Sequence, residues 1–308
     1  MENKTRMNKP CRTLLSVPGN KTKMHAKAAG SNVDVIMLDL EDSVPADEKE
    51  VARKTVIDSL RSLDFNEKCV ALRINSLDTP FAYKDLIQVA EAAGDRLQTV
   101  VVPKVNHEAD IHFASRLLDG IEMALGQTRQ IRIQACIETA QGLSRINEIA
   151  SADTRLSSLS FGIADYQASI GAALVSLSGH GENEEQVYPG HRWHFQLSRM
   201  VMAAKANGLM ALDAPFGNFK DDDGLKKSTA LAKALGCDGK WVIHPDQIDT
   251  VNQVFTPAAE EIQRARRILD AADDRSRGAV AVDGRMVDQA TIRIARRVWD
   301  QAVFLGKV

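Results

Sequence analysis

The sequence has few cysteines, and their positions exclude several classes of protein. Only four occur in 308 residues, Cys11, Cys69, Cys136 and Cys237, and no two of them form a CxxC pair. This spacing excludes a disulfide framework and the common zinc sites. Two of the four, Cys69 and Cys136, lie in apolar segments, where a buried thiol packs as a small hydrophobic side chain.

Long apolar runs and a strong charge of one sign are also missing. The longest apolar runs, such as residues 33–40, are far shorter than the roughly 20 residues of a membrane-spanning helix. Several bases occur in the first dozen residues, but proline, glycine and polar residues follow them instead of the apolar core of a signal peptide. The net charge of −2 provides no basic field for nucleic acid. We therefore expect a soluble cytoplasmic protein with a flexible tail at residues 1–10.

What the sequence does contain is a regular alternation of short apolar runs with longer amphipathic segments. The short runs are rich in Val, Ile and Leu and lack polar alternation, which is typical of parallel strands buried on both faces. They lie at residues 13–17, 34–40, 70–74, 99–102, 131–137, 158–162, 210–212 and 240–243. The longer segments have apolar residues at helical spacing and lie at residues 46–63, 81–93, 108–125, 141–150, 191–207 and 221–235.

This alternation predicts an α/β fold, a (β/α)₈ TIM barrel over residues 11–255 with a C-terminal helical lid extension over residues 256–308. A doubly wound sheet is the alternative. Its first strand would lead into a G-x-G-x-x-G turn, whereas Pro-Gly-Asn follows here. The C-terminal segment contains a predicted helix at 257–273, a hairpin-like stretch at 278–287 and a final helix from about residue 288. A polar loop at 177–190 is a second addition to the barrel.

Polar residues follow nearly every predicted strand. In a TIM barrel the loops after the strands form the functional face, so these residues are expected to converge at one rim. They are Pro18, Gly19, Asn20, Lys23, Asp39, Glu41, Asp42, Arg73, Asn75, Pro103, Lys104, Glu138, Gly162, Asp165, Asp213, Pro215, His244 and Pro245. No G-x-S-x-G elbow, P-loop or Ser-His-Asp pattern accompanies them.

Two carboxylates after consecutive strands, Glu138 and Asp165, can reach one hard cation. Mg²⁺ binds few protein carboxylates and keeps its other positions for water and substrate oxygens. The pair is therefore a candidate magnesium site. The alternative is that Asp165 caps a helix at residues 166–175.

Arg73 lies at the end of a buried strand, where a guanidinium is costly unless an anion pairs with it. A substrate carboxylate or an enolate oxygen would suit it, and Glu41 or Asp42 is the structural alternative. Asp39, Glu41 and Asp42 are three acids within four residues, so a metal or Arg73 must relieve their repulsion. Otherwise they cap the helix predicted from residue 46. His244, after the eighth strand, is either a site residue or a hydrogen-bonded structural group.

Together the motifs resemble the malyl-CoA lyase and citrate lyase β-subunit-like family, which includes β-methylmalyl-CoA and citramalyl-CoA lyases. The segments that carry the resemblance are 15–19 with Lys23, 39–42 with Lys49 and Arg53, 72–75, 102–104, 137–142, 161–166, 213–215, 239–245 and 284–288. They follow the family's order and span residues 12–300. Nine motifs in one order are far more specific than any one of them.

The resemblance implies Mg²⁺, which Mn²⁺ can replace, on Glu138 and Asp165. It implies that Arg73 faces the reacting thioester, with Asp39, Glu41, Asp42 and Lys104 in or next to the substrate site. It implies a coenzyme A path lined by Pro18, Gly19, Lys23, Pro215, Ile243 and His244. Finally, it implies a homotrimer or a dimer of trimers, in which Asp288 on the lid enters the site of a neighbouring subunit.

The implied reaction is a retro-aldol cleavage of malyl-CoA, β-methylmalyl-CoA or citramalyl-CoA to acetyl-CoA or propionyl-CoA and a 2-oxo acid, glyoxylate or pyruvate. Arg73 would stabilise the developing oxyanion, and Asp288 would exchange a proton with the acyl group. The alternatives are a thioesterase on the same scaffold and a citrate lyase β-type subunit that acts with an acyl-carrier protein. His244 before Pro245, together with residues 192–194 and 217–220, favours a free-standing CoA enzyme over the subunit.

Overall fold

The chain divides into two compact units, Met1–Asn252 and Gln253–Val308. The computed structural model describes residues 11–66, 68–175, 180, 186, 188, 190–273, 280–282 and 284–308. The predicted tail at residues 1–10 and most of the predicted polar loop at 177–190 lie outside the described residues. The two units are described separately below.

The first unit is built on a closed barrel of eight parallel strands, in which each strand pairs with the next and the eighth pairs with the first. The strands are β1 (Thr13–Pro18), β2 (Val35–Asp39), β3 (Cys69–Arg73), β4 (Thr99–Val102), β5 (Arg132–Ile137), β6 (Leu156–Phe161), β7 (Met210–Asp213) and β8 (Gly239–Val242). Each strand bound lies within two residues of the predicted one. The predicted TIM barrel is therefore confirmed.

Helices follow the strands along the chain. They are α1 (Thr22–Ala29), α2 (Lys49–Ser62), α3 (Ala82–Ala93), α4 (Glu108–Ala124), α5 (Ala140–Ser144), α6 (Ile146–Ser151), α7 (Ile163–Ser169), α8 (His194–Ala206), α9 (Asp222–Leu235) and α10 (Ile248–Phe255). Short 3₁₀ turns lie at Ala46–Glu48, Gly94–Arg96 and Pro245–Gln247. Within the described part of the chain, no helix combines the length and the apolar content that crossing a membrane requires.

Two helices, α1 and α10, were not predicted, and two of the predicted helices differ clearly from the structure. The segment predicted as one helix at 141–150 is divided at Arg145, whose backbone (φ −106°, ψ 19°) leaves the helical region between α5 and α6. The helix predicted at 166–175 begins earlier, at Ile163, and ends at Ser169. It ends early because Gly171 adopts a left-handed conformation (φ +64°) that does not continue a helix.

The barrel interior contains a layer of apolar side chains from seven of the strands. Its members are Leu14, Val35, Met37, Cys69, Ala71, Val101, Cys136, Leu212 and Trp241, with Cys11 before the first strand. Successive residues of a strand point to opposite faces, so Asp39 and Arg73 continue the inward positions of Met37 and Ala71. Asp39 and Arg73 are also register partners, and Pro18 is the partner of Asp39 on the other side. Charged side chains therefore lie above the apolar layer, at the carboxyl ends of the strands.

The second unit contains α11 (Ala259–Asp273), the antiparallel pair β9 (Val280–Val282) and β10 (Arg285–Val287), and α12 (Gln289–Phe304). Its apolar core is formed by Ala265, Leu269 and Ala295, where α11 packs against α12. The hairpin-like stretch predicted at 278–287 contains the two strands, although residues 278, 279 and 283 lie outside the described part. The lid role of this unit stays a prediction.

Candidate active site

The mouth of the barrel brings together seven of the predicted site residues. Asp39 and Arg73 end neighbouring strands, Glu138 and Lys104 follow β5 and β4, and Asp165 lies in the first turn of α7. We refer to the following side chains as the mouth cluster: Asp39, Glu41, Asp42, Arg73, Lys104, Glu138 and Asp165. The cluster joins residues from the carboxyl ends of five consecutive strands, β2 to β6.

Arg73 is held by carboxylates along the edge of its guanidinium. Its Nε and Nη2 donate to the two oxygens of Asp39, each at 2.6 Å. Its Nη1 lies 2.8 Å from Glu41 Oε2. Burial alone would lower the pKa of Arg73, but Asp39 and Glu41 outweigh burial and raise it well above its ordinary value. Arg73 is thus a fixed cation, and the structural pairing with Glu41 is present alongside a bidentate pair with Asp39.

The three acids after β2 do not cap the next helix, so that alternative is wrong. The Asp39 carboxylate accepts the backbone N–H of Glu41 at 2.9 Å in addition to its bonds with Arg73. Neither α2 nor the 3₁₀ turn before it has a side-chain cap. Burial acts to raise the pKa of Asp39, yet Arg73 brings it below its ordinary value. Asp39 therefore stays ionised and orients Arg73.

Lys104 connects the acids of β2 with those of β5 and α7. Its backbone lies in the left-handed region (φ +49°), which is uncommon for a residue with a side chain. In this conformation its N–H donates to Glu138 Oε1 at 2.6 Å. Its Nζ lies 2.6 Å from Glu41 Oε1 and 3.4 Å from Asp165 Oδ1. The ammonium thus lies between carboxylates of two segments, the residues after β2 and the first turn of α7.

Glu138 is one of three buried carboxyls of the cluster, with 2% of its surface exposed. Burial and the nearby negative charges of Glu41 and Asp165 raise its pKa to about 8, although Arg73 acts in the opposite direction. Gly162 lies against this side chain, and a β-carbon at Gly162 would overlap Glu138 Oε2. The position after β6 therefore requires glycine so that the carboxyl of Glu138 can turn into the mouth.

The donor set fits a divalent cation. Asp165 lies inside the first turn of α7 rather than at its cap position, so the capping alternative for Asp165 is wrong. Among the described residues, no group of three or more His, Cys, Asp or Glu side chains is arranged to hold a metal. Mg²⁺ needs only one or two protein carboxylates, however, and it prefers hard oxygen ligands. Glu138 and Asp165 offer such oxygens, and a bound cation would offset the charge repulsion that favours the protonated form of Glu138.

Three residues of the predicted coenzyme A path lie at or near the turn between β1 and α1. Gly19 donates its N–H to Asp39 O at 2.7 Å, and a β-carbon there would lie 2.9 Å from Leu40 Cδ2. Glycine is therefore needed for the close approach of this turn to β2. Pro18 is the register partner of Asp39, and Lys23 is exposed on α1. The turn lies beside the mouth cluster, and its contact with coenzyme A stays a prediction.

The loops after β7 and β8 hold the other residues of the predicted path. Pro215 is half-buried and Ile243 is exposed. The ring of His244 stacks on Phe219, with centroids 4.6 Å apart and planes at 18°. His244 also accepts the N–H of Asp246 at Nδ1 (3.2 Å), so the structural alternative for this histidine is present. The stacking contact joins two loops and has no signal in the local sequence.

Asp288 lies in the second unit, where it caps α12. Its carboxylate accepts the backbone N–H and the hydroxyl of Thr291, each at 2.7 Å. These bonds to Thr291 lower the pKa of the exposed Asp288 carboxyl. The structure thus gives Asp288 a capping role. Its predicted role in proton exchange needs an experiment that leaves the cap intact.

A second buried group of charges was not predicted from the sequence. Leu212 and Trp241 point into the barrel, so their neighbours Asp213 and Lys240 point outward, where the Lys240 ammonium bonds the Asp213 carboxylate. His180 Nε2 lies 3.3 Å from Asp213 Oδ1, and Lys240 Nζ donates to Ser228 Oγ of α9 at 3.2 Å. We refer to Asp213, Lys240, His180 and Ser228 as the flank cluster. The sequence indicated Asp213 but none of its partners.

The chain is similar to known proteins over nearly its whole length. The model of the HpcH/HpaI aldolase/citrate lyase family matches residues 12–245. The chain is 39% identical over 306 residues to an L-malyl-CoA/beta-methylmalyl-CoA lyase of Cereibacter sphaeroides, covering 97% of this chain and 96% of the relative. It is 34% identical to the citrate lyase subunit beta of Leuconostoc mesenteroides subsp. cremoris, covering 93% and 91%. Protein CitE from Mycobacterium tuberculosis, in complex with magnesium, acetoacetate and coenzyme A, matches with a TM-score of 0.77 at 30% identity, covering 96% of this chain and 100% of that one.

Proposed function

The chain belongs to the HpcH/HpaI aldolase/citrate lyase family, and on that premise we propose that it is a lyase that cleaves a carbon–carbon bond in a 3-hydroxyacyl-CoA thioester. The proposed substrates are malyl-CoA, β-methylmalyl-CoA or citramalyl-CoA, and the products are acetyl-CoA or propionyl-CoA with glyoxylate or pyruvate. The observation that carries the proposal is the fixed cation of Arg73 beside an excess of buried carboxylates at the barrel mouth. The 39% identity to a malyl-CoA lyase supports the choice of substrate class.

Glu138 and Asp165 would hold Mg²⁺ (or Mn²⁺), a role supported by the magnesium complex of the similar CitE structure. When bound, Mg²⁺ supplies positive charge to the carboxylate and hydroxyl oxygens of the substrate, which makes the hydroxyl easier to deprotonate. Lys104 would keep the two ligands oriented through its N–H bond to Glu138 and its ammonium beside Asp165.

Arg73 would stabilise the oxyanion that develops on the thioester when the carbon–carbon bond breaks. Asp39 takes two of the five guanidinium N–H donors and Glu41 lies at a third nitrogen position, which leaves donors for a substrate oxygen. Because carboxylates already orient the guanidinium, little reorganisation is needed during the reaction. Asp39 and Glu41 would act as positioning residues.

Asp288 would exchange the proton of the acyl group, as acid in cleavage and base in condensation. Replacing Asp288 by Asn tests this role, because Asn caps helices as well as Asp and the cap of α12 would persist. We expect most turnover to be lost while Mg²⁺ binding, measured by calorimetry, is unchanged. Near-full turnover of Asp288→Asn would remove Asp288 from the mechanism.

The delivery of Asp288 from a neighbouring subunit, the homotrimer or dimer of trimers, and the cytoplasmic location also remain predictions. Sedimentation of the purified protein tests the assembly. Mixing Asp288→Asn subunits with Arg73→Met subunits tests the sharing of a site, since mixed oligomers would recover activity only if the two residues come from different chains.

Two alternative functions use the same scaffold. A thioesterase would let water attack the thioester and release the intact hydroxy acid. A subunit role is supported by the 34% identity to a citrate lyase subunit beta, and such a subunit would act with an acyl-carrier protein.

The 2-oxo acid product is either glyoxylate or pyruvate. The two differ by one methyl group, a difference that a pocket resolves by only about 1–3 kcal/mol, so the products must be identified by experiment.

Mass spectrometry of the products tests the proposal. The purified protein with Mg²⁺ is incubated with malyl-CoA, β-methylmalyl-CoA and citramalyl-CoA in separate reactions, with Glu138→Gln as the control. We expect acetyl-CoA or propionyl-CoA together with a 2-oxo acid, and no product from the control. Free coenzyme A with an intact hydroxy acid would instead establish the thioesterase, and turnover only of a carrier-bound substrate would establish the subunit role.

A further inference from the structure

Trp241 lies beneath the guanidinium of Arg73. The Cζ atom of Arg73 is 5.1 Å from the centroid of the indole ring. Arg73 ends β3 and Trp241 lies in β8, and β1 and β2 separate these strands in the barrel. The indole therefore reaches across the barrel interior, where 5% of the residue is exposed.

The apolar layer is built to admit this ring. Ala71 precedes Arg73 by two residues and points to the same face of β3, and it packs in one buried cluster with Trp241. A small residue at this position leaves space for the large ring of the opposite strand. The indole thus lies at the top of the apolar layer, directly below the guanidinium of Arg73.

Carboxylates and the indole contact Arg73 from different sides. Asp39 and Glu41 contact the three guanidinium nitrogens at the barrel mouth. Trp241 lies on the side of the barrel interior, with the Cζ atom of Arg73 over its ring. The indole therefore adds a contact on a side of Arg73 that the carboxylates do not cover.

Tryptophan suits this contact better than the other aromatic residues. Of the aromatic side chains, indole attracts a cation over its face most strongly. The guanidinium of Arg73 is such a cation, because Asp39 and Glu41 raise its pKa well above its ordinary value.

We propose that Trp241 is a positioning residue that helps to hold the guanidinium of Arg73 in place for the thioester oxygen. The inference rests on the proposed function, because it assumes that Arg73 acts on the reacting oxyanion. It assigns a role to a residue of the barrel interior that does not itself touch the substrate.

Steady-state kinetics of two variants test the proposal. Trp241→Leu removes the aromatic face, and we expect kcat to fall about tenfold with KM little changed. Trp241→Phe keeps an aromatic face and removes the N–H, so it should recover most of kcat. A loss expressed only in KM, or a Trp241→Phe variant no better than Trp241→Leu, would overturn the proposal.

A double-mutant cycle separates positioning from general stability. In an Arg73→Lys background, Trp241→Leu should lower kcat much less than in the wild type, because the group that it orients is already replaced. Trp193→Leu is the matched control, since Trp193 is also buried and has the guanidinium of Arg192 4.6 Å from its ring. It should show no coupling to Arg73. Equal losses from Trp241→Leu in both backgrounds would contradict the assignment.

Indole fluorescence gives a readout that does not depend on turnover. The difference between the emission of the wild type and of Trp241→Phe isolates Trp241. We expect Arg73→Met to change this difference spectrum and Arg192→Met to leave it unchanged. If no CoA thioester is cleaved but Arg73→Met changes the difference spectrum, the proposed function is wrong while the contact between Trp241 and Arg73 is supported. An unresponsive spectrum would overturn the contact itself.

Discussion

The mouth cluster and the flank cluster are both buried charge networks in the same barrel, yet their charge balance differs. In the flank cluster one carboxylate, Asp213, meets the ammonium of Lys240 and the ring of His180. Burial would raise the pKa of Asp213, but Lys240 and His180 outweigh it and hold that pKa well below its ordinary value. The flank carboxylate is therefore stabilised in its ionised form.

The mouth cluster has five carboxylates and two bases. Lys49 adds a third nearby cation, but its ammonium donates to the backbone carbonyls of Leu40 and Glu41. Because acids remain in excess, burial together with Glu41 and Asp165 raises the pKa of Glu138 to about 8. A surplus of like charge weakens the fold, and strongly perturbed carboxyls of this kind are typical of functional sites. The flank cluster therefore stabilises the fold. The excess of acids in the mouth cluster instead favours the binding of a cation from outside the chain.

Replacing Glu138 by Gln should have the largest effect. The substitution keeps the shape of the side chain but removes the charge of a proposed metal ligand, so we expect turnover to fall about 10³-fold or more. The same change removes like-charge repulsion, so the metal-free variant should be at least as stable as the wild type. Calorimetry with Mg²⁺ and thermal unfolding with a chelator measure the two effects. A variant that still binds Mg²⁺ and turns over normally would contradict the proposed role of Glu138 as a metal ligand.

The equivalent change in the flank cluster should act in the opposite way on stability. Asp213→Asn leaves the fully buried Lys240 ammonium without its carboxylate, and breaking such a pair costs about 3–5 kcal/mol. Urea unfolding at neutral pH measures the loss. His180→Asn is the matched control. It removes the longer contact of 3.3 Å to Asp213 and the ring contact with His191 but keeps the pair of Asp213 with Lys240, so it should cost less. If Asp213→Asn were as stable as Glu138→Gln, the two clusters would not differ in kind.

The fold could be predicted from the sequence because its signals are local. Eight apolar runs rich in branched residues define the barrel strands, and each run depends only on its own residues. The helix predicted at 166–175 was wrong because its end depends on the left-handed conformation of Gly171, which the apolar spacing does not reveal. The early start at Ile163 places Asp165 inside the helix, so the error in the helix also affected the alternative role of Asp165.

The convergence of the mouth cluster also follows from the sequence, because every strand end of a closed barrel meets the same rim. Which side chains touch could not be predicted. The bidentate bond of Arg73 to Asp39 requires the register of β2 against β3, and the contact with Trp241 requires the diameter of the barrel. Such contacts depend on the closed geometry rather than on any spacing along the chain.

The pH dependence of stability should separate the clusters further. The pKa of Glu138 is raised from 4.5 to about 8, so the metal-free folded state binds a proton more tightly than the unfolded state between these values. Stability should therefore fall as pH rises through this window, by at most about 1.4 kcal/mol per pH unit. The lowered pKa of Asp213 acts only in acid, where stability is lost as pH falls below its ordinary value of 3.8.

Urea unfolding of the metal-free protein at several pH values between 5 and 8 measures this slope. We expect Glu138→Gln to flatten it, and saturating Mg²⁺ to flatten it in the wild type by displacing the proton. A slope that persists in Glu138→Gln would mean that another group of the mouth cluster holds the proton.

Replacing Asp42 by Asn should have the smallest effect on stability and on Mg²⁺ binding. It tests whether cation binding at the mouth cluster depends on buried carboxyls or on the total number of charges. Its side chain is 58% exposed and lies 3.7 Å from Arg73 and 3.6 Å from Lys104. Water screens such a charge, so Asp42→Asn should change the free energy of unfolding by less than about 1 kcal/mol and leave Mg²⁺ affinity nearly unchanged. Calorimetry beside Glu138→Gln makes the comparison direct. If Asp42→Asn weakened Mg²⁺ binding as strongly as Glu138→Gln, the total negative charge of the rim, rather than the buried carboxyl, would govern cation binding.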